Sequence, residues 1–133
     1  NLVNQEDEWG CGTACIASLL GIQYQKAKQL VEKVKGRSVN AGQPGLELHH
    51  IAIALQKKHV KVIADWAPTE IPDGTIVCIS GKPPYDGDHY ILKTPYGWMD
   101  PWYNLDENKM EARYRETYPR GTSFLVALVP VSS

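Results

Sequence analysis

The sequence predicts an α+β fold in which N-terminal helices pack on a C-terminal antiparallel sheet. Hydrophobic residues recur with helical spacing in the first half of the chain. The second half contains short β-branched runs separated by turn-forming residues. Helices followed by strands, rather than an alternation of the two, are typical of α+β domains. The length of 133 residues is that of one domain, and we expect residues 1–133 to form it.

Three helices are predicted in the first half. The segment Cys11–Leu20 has small or apolar residues at nearly every position, so this helix should be central and buried, with Gly21 ending it. Residues 24–35 show amphipathic spacing and stop before Gly36. Residues 46–58 form a third predicted helix with one apolar face.

Strands are predicted where β-branched and aromatic residues dominate, and loops where Gly, Pro and Asp cluster. The predicted strands cover residues 60–64, 75–80, 89–94, 98–99 and 122–131. The predicted loops cover residues 36–45 and 81–88. Residues 104–118 are charged and are predicted to form an exposed helix or an irregular excursion.

Composition excludes several classes of protein. With 43% hydrophobic and 22% charged residues, the chain is not of the disordered class. Lys plus Arg total 14 and Asp plus Glu total 15, so the net charge is −1 and a broad nucleic-acid interface is not expected. The apolar runs are too short for a membrane span. The chain starts at Asn1 without Met, which is consistent with a removed leader or upstream domain and leaves localisation open.

The three cysteines form neither a disulfide framework nor a metal-binding pattern, and we expect no metal and no cofactor. Cys11 differs from the others because it opens a helix, where the helix dipole and free N–H groups favour a thiolate. Gly10 and Gly12 flank it and would let the backbone approach a substrate closely. Gln5, six residues upstream, suits an oxyanion donor beside the Cys11 backbone N–H. A packed thiol without function is the alternative interpretation of Cys11.

Cys15 and Cys78 are predicted to be core thiols. Cys15 lies one helical turn beyond Cys11, where burial raises the pKa of a thiol. Cys78 lies in an apolar predicted strand.

A thiolate nucleophile needs a base, and the base needs an orienting group. His89 opens a predicted strand, and a turn near residues 95–97 brings Asp100 back towards it. The alternatives are a strand-end histidine bonded to backbone and a turn aspartate that precedes Pro101. No carboxylate is clearly placed to orient His49 or His50 in the third helix. His59 ends that helix, where a cationic side chain suits the helix dipole and a capping role is expected.

Taken together, these residues resemble the papain-like cysteine peptidases, and among them the bacteriocin-processing, C39-like branch. The resemblance consists of Gln5, residues 11–15 (CGTAC) opening a helix, His89 opening a strand, and Asp100-Pro101, and it spans about residues 5–129. It implies that Cys11 is the nucleophile and His89 the general acid and base. It further implies that Asp100 orients the imidazole and that Gln5 donates to the oxyanion.

Several functions fit this resemblance. Gly10 stands where the processing peptidases usually carry Asp, and the transporter that normally follows such a domain is absent, so leader processing does not simply transfer. We expect a thiol-dependent hydrolase or transferase acting on amide bonds, most simply a cysteine peptidase. The alternative is a bacterial effector or toxin domain acting as a deamidase, transglutaminase or acyltransferase. A second alternative is a non-catalytic peptide-binding module, which would tend to have lost Cys11 or His89.

Aromatic and acidic residues near the catalytic elements predict the substrate contacts. Trp9, Gly10, Tyr85 and Asp88 are the predicted substrate-binding residues. Asp88 favours a basic or amine-bearing substrate, with a solvated turn as the simpler interpretation. Two further aromatic residues, Tyr90 and Trp98, are expected to fill the core. The expected partner is a peptide or protein substrate, joined by an inhibitor or immunity protein if the domain is a toxin. A bacterial cytoplasmic location, or secretion as part of a larger chain, fits either case.

Overall fold

A computed structural model of the protein describes residues 2–4, 6, 10–36, 46–80, 89–101, 112–119 and 122–131. Within these ranges three helices precede six strands, which confirms the predicted α+β class. The helices are α1 (Cys11–Leu20), α2 (Tyr24–Lys35) and α3 (Leu48–Lys57). The strands are β1 (Val62–Asp65), β2 (Ile76–Ser80), β3 (His89–Thr94), β4 (Gly97–Asp100), β5 (Arg113–Arg115) and β6 (Ser123–Pro130).

Helix α1 is buried, as its composition predicts. Every residue from Gly12 to Ser18 is buried, because small and apolar side chains let the helix pack on several sides at once. Gly21 ends the helix in the left-handed conformation, with φ 69°, which a glycine adopts without steric cost.

Helices α2 and α3 match their predicted positions, with one shift at the start of α3. Helix α3 begins at Leu48 rather than at residue 46, because Glu47 forms its N-cap. The Glu47 backbone N–H donates to Nδ1 of His50 over 3.1 Å, and the Glu47 side chain accepts from the backbone N–H of His50. This reciprocal capping box satisfies N–H groups that the first turn cannot pair internally.

The strands form one six-stranded sheet in the order β1-β6-β2-β3-β4-β5, and all the described strand pairs are antiparallel. Strands β2, β3, β4 and β6 lie where the sequence predicts them, within one or two residues. Strand β1 lies two residues further along than the predicted 60–64, and ends at Asp65. The prediction of a helix or irregular excursion over residues 104–118 is wrong at Arg113–Arg115, which form β5 at the sheet edge.

The two faces of the sheet carry two separate apolar clusters. On one face the three helices pack against alternate strand residues, among them Tyr90, Leu92 and Met99. On the other face Ile91 and Trp98 pack with residues of β2 and β6. Tyr90 and Trp98 are therefore core residues, as predicted. Among the described residues, no helix combines the length and the apolar character that crossing a membrane requires.

Candidate active site

Cys11 is the first residue of α1 and is partly exposed. The residue before it, Gly10, is the N-cap, with φ −100° and ψ 11°, and makes no side-chain cap bond. The first N–H groups of a helix have no intrahelical acceptor, and a glycine has no side chain to satisfy them. The start of α1 therefore presents backbone donors and the positive end of the helix dipole beside the Cys11 thiol.

Gly12 has a packing role, and its role in substrate approach stays a prediction. A Cβ atom at this position would lie 3.1 Å from Ile51 Cδ1 and 3.3 Å from a side-chain carbon of Tyr90. The absence of a side chain thus lets the start of α1 pack closely against α3 and β3. This close packing brings Cys11 to the end of the sheet where β3 begins.

His89 and Asp100 form a buried hydrogen bond, with 2.7 Å between Nε2 and Oδ1. The side chains are 7% and 0% exposed. The hairpin of β3 and β4 pairs Leu92 with Met99, and one further step in that register sets Asp100 opposite Ile91. His89 lies two residues before Ile91, so the two side chains share a face and meet diagonally. The hairpin predicted from the sequence therefore brings His89 and Asp100 together.

The turn of this hairpin is held by a side chain. The Thr94 hydroxyl donates to the Gly97 carbonyl over 2.7 Å and accepts from the Tyr96 N–H over 3.1 Å. Such bonds fix the turn and hence the register that brings Asp100 to His89.

The second carboxylate oxygen of Asp100 binds a residue that the sequence analysis missed. Arg115 Nε donates to Asp100 Oδ2 over 2.7 Å, and the arginine side chain is 19% exposed. Strand β5 pairs Asp100 with Arg113, so Arg115 also reaches the carboxylate diagonally, from the side opposite His89. The available signal was the short segment Arg-Tyr-Arg at residues 113–115, which does not differ from an exposed loop in the sequence.

Neighbouring charges set the protonation of the buried pair. Burial opposes a charged His89, but the negative charges of Asp100 and Cys11 and hydrogen bonds to both raise its pKa to about 10. Burial likewise opposes a charged Asp100, but His89 and then Arg115 lower its pKa to about 2. At neutral pH the imidazole is therefore protonated and the carboxylate is ionised.

Cys11 is the third member of this arrangement. Its side chain forms a hydrogen bond that raises the pKa of His89. Because Nε2 of the ring binds Asp100, the remaining nitrogen, Nδ1, is the one left for the sulfur. In the Ser-His-Asp triad the two nitrogens have the opposite assignment, with Nδ1 on the aspartate. A thiol beside an imidazolium has the groups needed for nucleophilic attack and proton transfer.

The other two thiols lie in the core, as predicted. Cys15 is fully buried and Cys78 is 6% exposed. Burial, followed by the negative charges of Cys11 and Asp100, raises the pKa of Cys15 well above the usual thiol value. Neither core thiol is therefore suited to act as a nucleophile at neutral pH.

The histidines of α3 bind Glu47 at the start of their own helix. The expectation that no carboxylate orients them is wrong for His49, whose Nδ1 lies 3.3 Å from Glu47 Oε2. Both members of that pair are mostly exposed, and His50 caps the helix through its own Nδ1. His59 follows the C-cap in the left-handed conformation, with φ 64°, and its backbone N–H bonds Gln56.

Four predicted site residues lie outside the described residues, namely Gln5, Trp9, Tyr85 and Asp88. Of the predicted substrate-binding set, only Gly10 is described, and it is buried beside Cys11. Within the described ranges, no cluster of three or more His, Cys, Asp or Glu side chains is arranged to hold a metal ion.

Comparison with known proteins assigns no family to the chain. No protein-family model matches it. No curated protein sequence matches it either. The papain-like relationship is therefore a proposal, and its support is the site itself.

Proposed function

We propose that this protein is a thiol-dependent hydrolase of the papain-like kind that acts on amide bonds, most simply a cysteine peptidase similar to the C39-like branch. One observation carries the proposal. The buried His89 binds Asp100 through Nε2 over 2.7 Å and also forms a hydrogen bond with Cys11 at the start of α1. Nucleophile, base and orienting group thus occur in contact and in the order that this chemistry requires.

The energetic cost of the arrangement supports a role beyond stability. An ionised carboxylate in a protein interior loses its hydration, and apolar side chains of similar volume often stabilise a fold as well or better. Asp100 is nevertheless fully buried, with both oxygens bonded. The charge of Asp100 stabilises the imidazolium of His89, which lies next to the Cys11 thiol.

The first half of the reaction acylates the enzyme. The Cys11 thiolate attacks the carbonyl carbon of the scissile amide, and the C–O π electrons move to oxygen. The backbone N–H of Cys11 and, by resemblance, the Gln5 side chain donate to this oxyanion. When the carbonyl re-forms, the C–N bond breaks and His89 gives its proton to the departing amine. A thioester on Cys11 and a neutral His89 remain.

The second half restores the enzyme. The neutral His89 takes a proton from water as the water oxygen attacks the thioester carbonyl. Collapse of this second tetrahedral intermediate releases the carboxylic acid and the Cys11 thiolate. His89 is then protonated again, and Asp100 holds the ring throughout.

A thiol-directed, peptide-like electrophile tests the proposal. A peptidyl vinyl sulfone should modify Cys11 at neutral pH, and mass spectrometry of the digested protein should locate one adduct there. Cys15 and Cys78 are internal controls, and Cys11→Ala should give no adduct. Equal modification of the three thiols, or of none in the folded protein, would contradict the proposal and favour a non-catalytic peptide-binding module.

The acceptor is identified by a second experiment on a mixed peptide library. A peptidase creates new termini, a deamidase converts Gln to Glu, and a transglutaminase incorporates an added primary amine. All three pass through the same thioester. We expect new termini, and Gln conversion or amine incorporation without cleavage would assign the site to the other activities.

A further inference from the structure

We infer that Arg115 is a positioning residue of this site, which keeps Asp100 ionised and oriented so that His89 can gain and lose its proton. The inference rests on the proposed function for its catalytic meaning. Its structural basis is the 2.7 Å contact between Arg115 Nε and Asp100 Oδ2. In this assignment Arg115 acts on the histidine through the carboxylate of Asp100.

The contact completes a series of alternating charges. In the ion pair that the proposed function requires, a Cys11 thiolate, the imidazolium of His89, the carboxylate of Asp100 and the guanidinium of Arg115 follow one another through the site. When His89 gives its proton to a leaving amine, Asp100 loses its nearest cation. Arg115 remains charged at every accessible pH, so the buried carboxylate keeps one paired cation and does not take up the proton itself.

The absence of a side chain at Gly97 of β4 lets β5 approach closely enough for the contact between Arg115 and Asp100. Gly97 has φ 116°, and a Cβ atom there would lie 2.6 Å from the backbone carbonyl oxygen of Arg115. A side chain at position 97 would therefore push β5 away from β4. The absence of a side chain lets the two strands approach at the point from which Arg115 reaches Asp100.

Other ionisable groups near Asp100 come from three elements. Helix α1 contributes two thiols: the charge of Asp100 raises the pKa of Cys15, and Cys11 binds the histidine that Asp100 holds. Strand β3 contributes that histidine, and β5 contributes Arg115 and a second arginine that lies opposite Asp100 in the strand register. These groups are Cys11, Cys15, His89, Arg113 and Arg115. His89 binds one oxygen of the carboxylate and Arg115 binds the other.

The pH dependence of Cys11 alkylation separates this role from a merely structural one. Burial disfavours a charged His89, so the imidazolium and its thiolate partner persist only while Asp100 is ionised. Without Arg115, Asp100 should take up a proton at a higher pH. The acid limb of the Cys11 alkylation rate should then move upward by about one pH unit, as expected for loss of a hydrogen bond to a charged group.

The experiment compares iodoacetamide alkylation of Cys11 in wild type, Arg115→Gln, Arg115→Lys and Lys93→Gln. Arg115→Lys keeps the positive charge, so its acid limb should lie close to that of wild type. Lys93→Gln is the matched control, because it removes a cation of β3 that pairs with Asp73 over 3.1 Å. The acid limb of Cys11 alkylation in this variant should match that of wild type. A folded Arg115→Gln with an unmoved acid limb would overturn the inference.

A second measurement needs no substitution. The Nε–H resonance of Arg115 in the wild-type protein should shift as Asp100 is protonated, and a resonance insensitive to acid across that transition would also overturn the inference. If wild-type Cys11 shows no reactivity below neutral pH, the proposed function fails while the resonance still tests Arg115. If wild-type Cys11 is reactive and Arg115→Gln behaves identically, only the role of Arg115 fails.

Discussion

Two histidine–carboxylate pairs in this molecule differ in almost everything except their chemistry. His89 and Asp100 lie 2.7 Å apart with side chains 7% and 0% exposed. His49 and Glu47 lie 3.3 Å apart with side chains 61% and 57% exposed. The first pair joins two strands across a hairpin, and the second joins neighbouring residues at the start of a helix.

The comparison shows that burial and a third partner, rather than residue type, make a histidine suitable for catalysis. Water screens the exposed pair, and such pairs contribute little to stability or proton affinity. In the buried pair, Asp100 and Cys11 raise the pKa of His89 to about 10 despite burial. Of the two histidines, His89 is therefore the one that can hold a proton beside a thiol at neutral pH.

The largest expected effect follows from removing the thiol from the buried site. Cys11→Ala should abolish turnover of a peptide-library substrate while leaving the circular dichroism spectrum unchanged, because Cys11 is at a partly exposed helix end. Cys78→Ala removes a core thiol and should keep measurable turnover. Turnover retained by Cys11→Ala would show that the chemistry lies elsewhere.

Removing each histidine in turn tests the contrast directly. His89→Ala deletes the proton carrier and should lower kcat by about 10²–10⁴-fold, the usual contribution of general acid–base catalysis. His49→Ala should leave kcat within about twofold, because its pair is mostly exposed to water. Equal losses in the two variants would remove the distinction between the pairs.

Neutralising the two carboxylates should give the next effect. Asp100→Asn keeps the size of the side chain but removes the charge that stabilises the imidazolium, so activity should fall strongly without vanishing. The alkaline limb of the pH–rate profile should move downward, because the pKa of His89 falls when the charge of Asp100 is removed. Glu47→Gln should leave the profile in place. An unmoved profile in Asp100→Asn would show that Asp100 does not control His89.

The smallest expected effect is on stability, and its sign follows from the pKa shifts. The pKa of His89 rises from 6.5 to about 10, so its contribution is complete below pH 6.5 and is lost as the pH rises through about 10. The pKa of Asp100 falls from 3.8 to about 2, so its contribution is complete above about pH 4 and is lost as the pH falls through about 2.

Denaturant unfolding of wild type and His89→Gln across this range measures the contribution. The difference in unfolding free energy should be about 3 kcal/mol between pH 4 and 6.5, as for other broken buried pairs, and should decline outside that window. The same comparison for His49→Gln should stay within about 0.5 kcal/mol at every pH. A pH-independent difference for His89→Gln would contradict the assigned charges.

Local patterns made most of the fold predictable. The buried helix α1 follows from its run of small and apolar residues ended by Gly21, and the β3–β4 hairpin follows from two apolar runs around a Pro-Tyr-Gly turn. The hairpin also made the His89–Asp100 pair predictable, because it needs contacts between adjacent strands only.

Contacts that depend on distant segments could not be predicted in the same way. Arg115 lies in a three-residue strand with exposed and half-buried side chains, and its pairing with β4 provides the contact with Asp100. The packing role of Gly12 could not be predicted either, because the side chains that it accommodates belong to Ile51 and Tyr90. Both features depend on tertiary packing, which local periodicity does not encode.

Competitive alkylation tests the central claim, that Cys11 is a nucleophile activated by His89, most directly. Folded wild type and His89→Ala are treated with limiting iodoacetamide at about pH 6.5, and mass spectrometry gives the alkylation rate of each cysteine. In wild type, Cys11 should react far faster than Cys15 and Cys78, and His89→Ala should remove that advantage. Equal rates for the three cysteines, or a Cys11 rate unchanged in His89→Ala, would contradict the account.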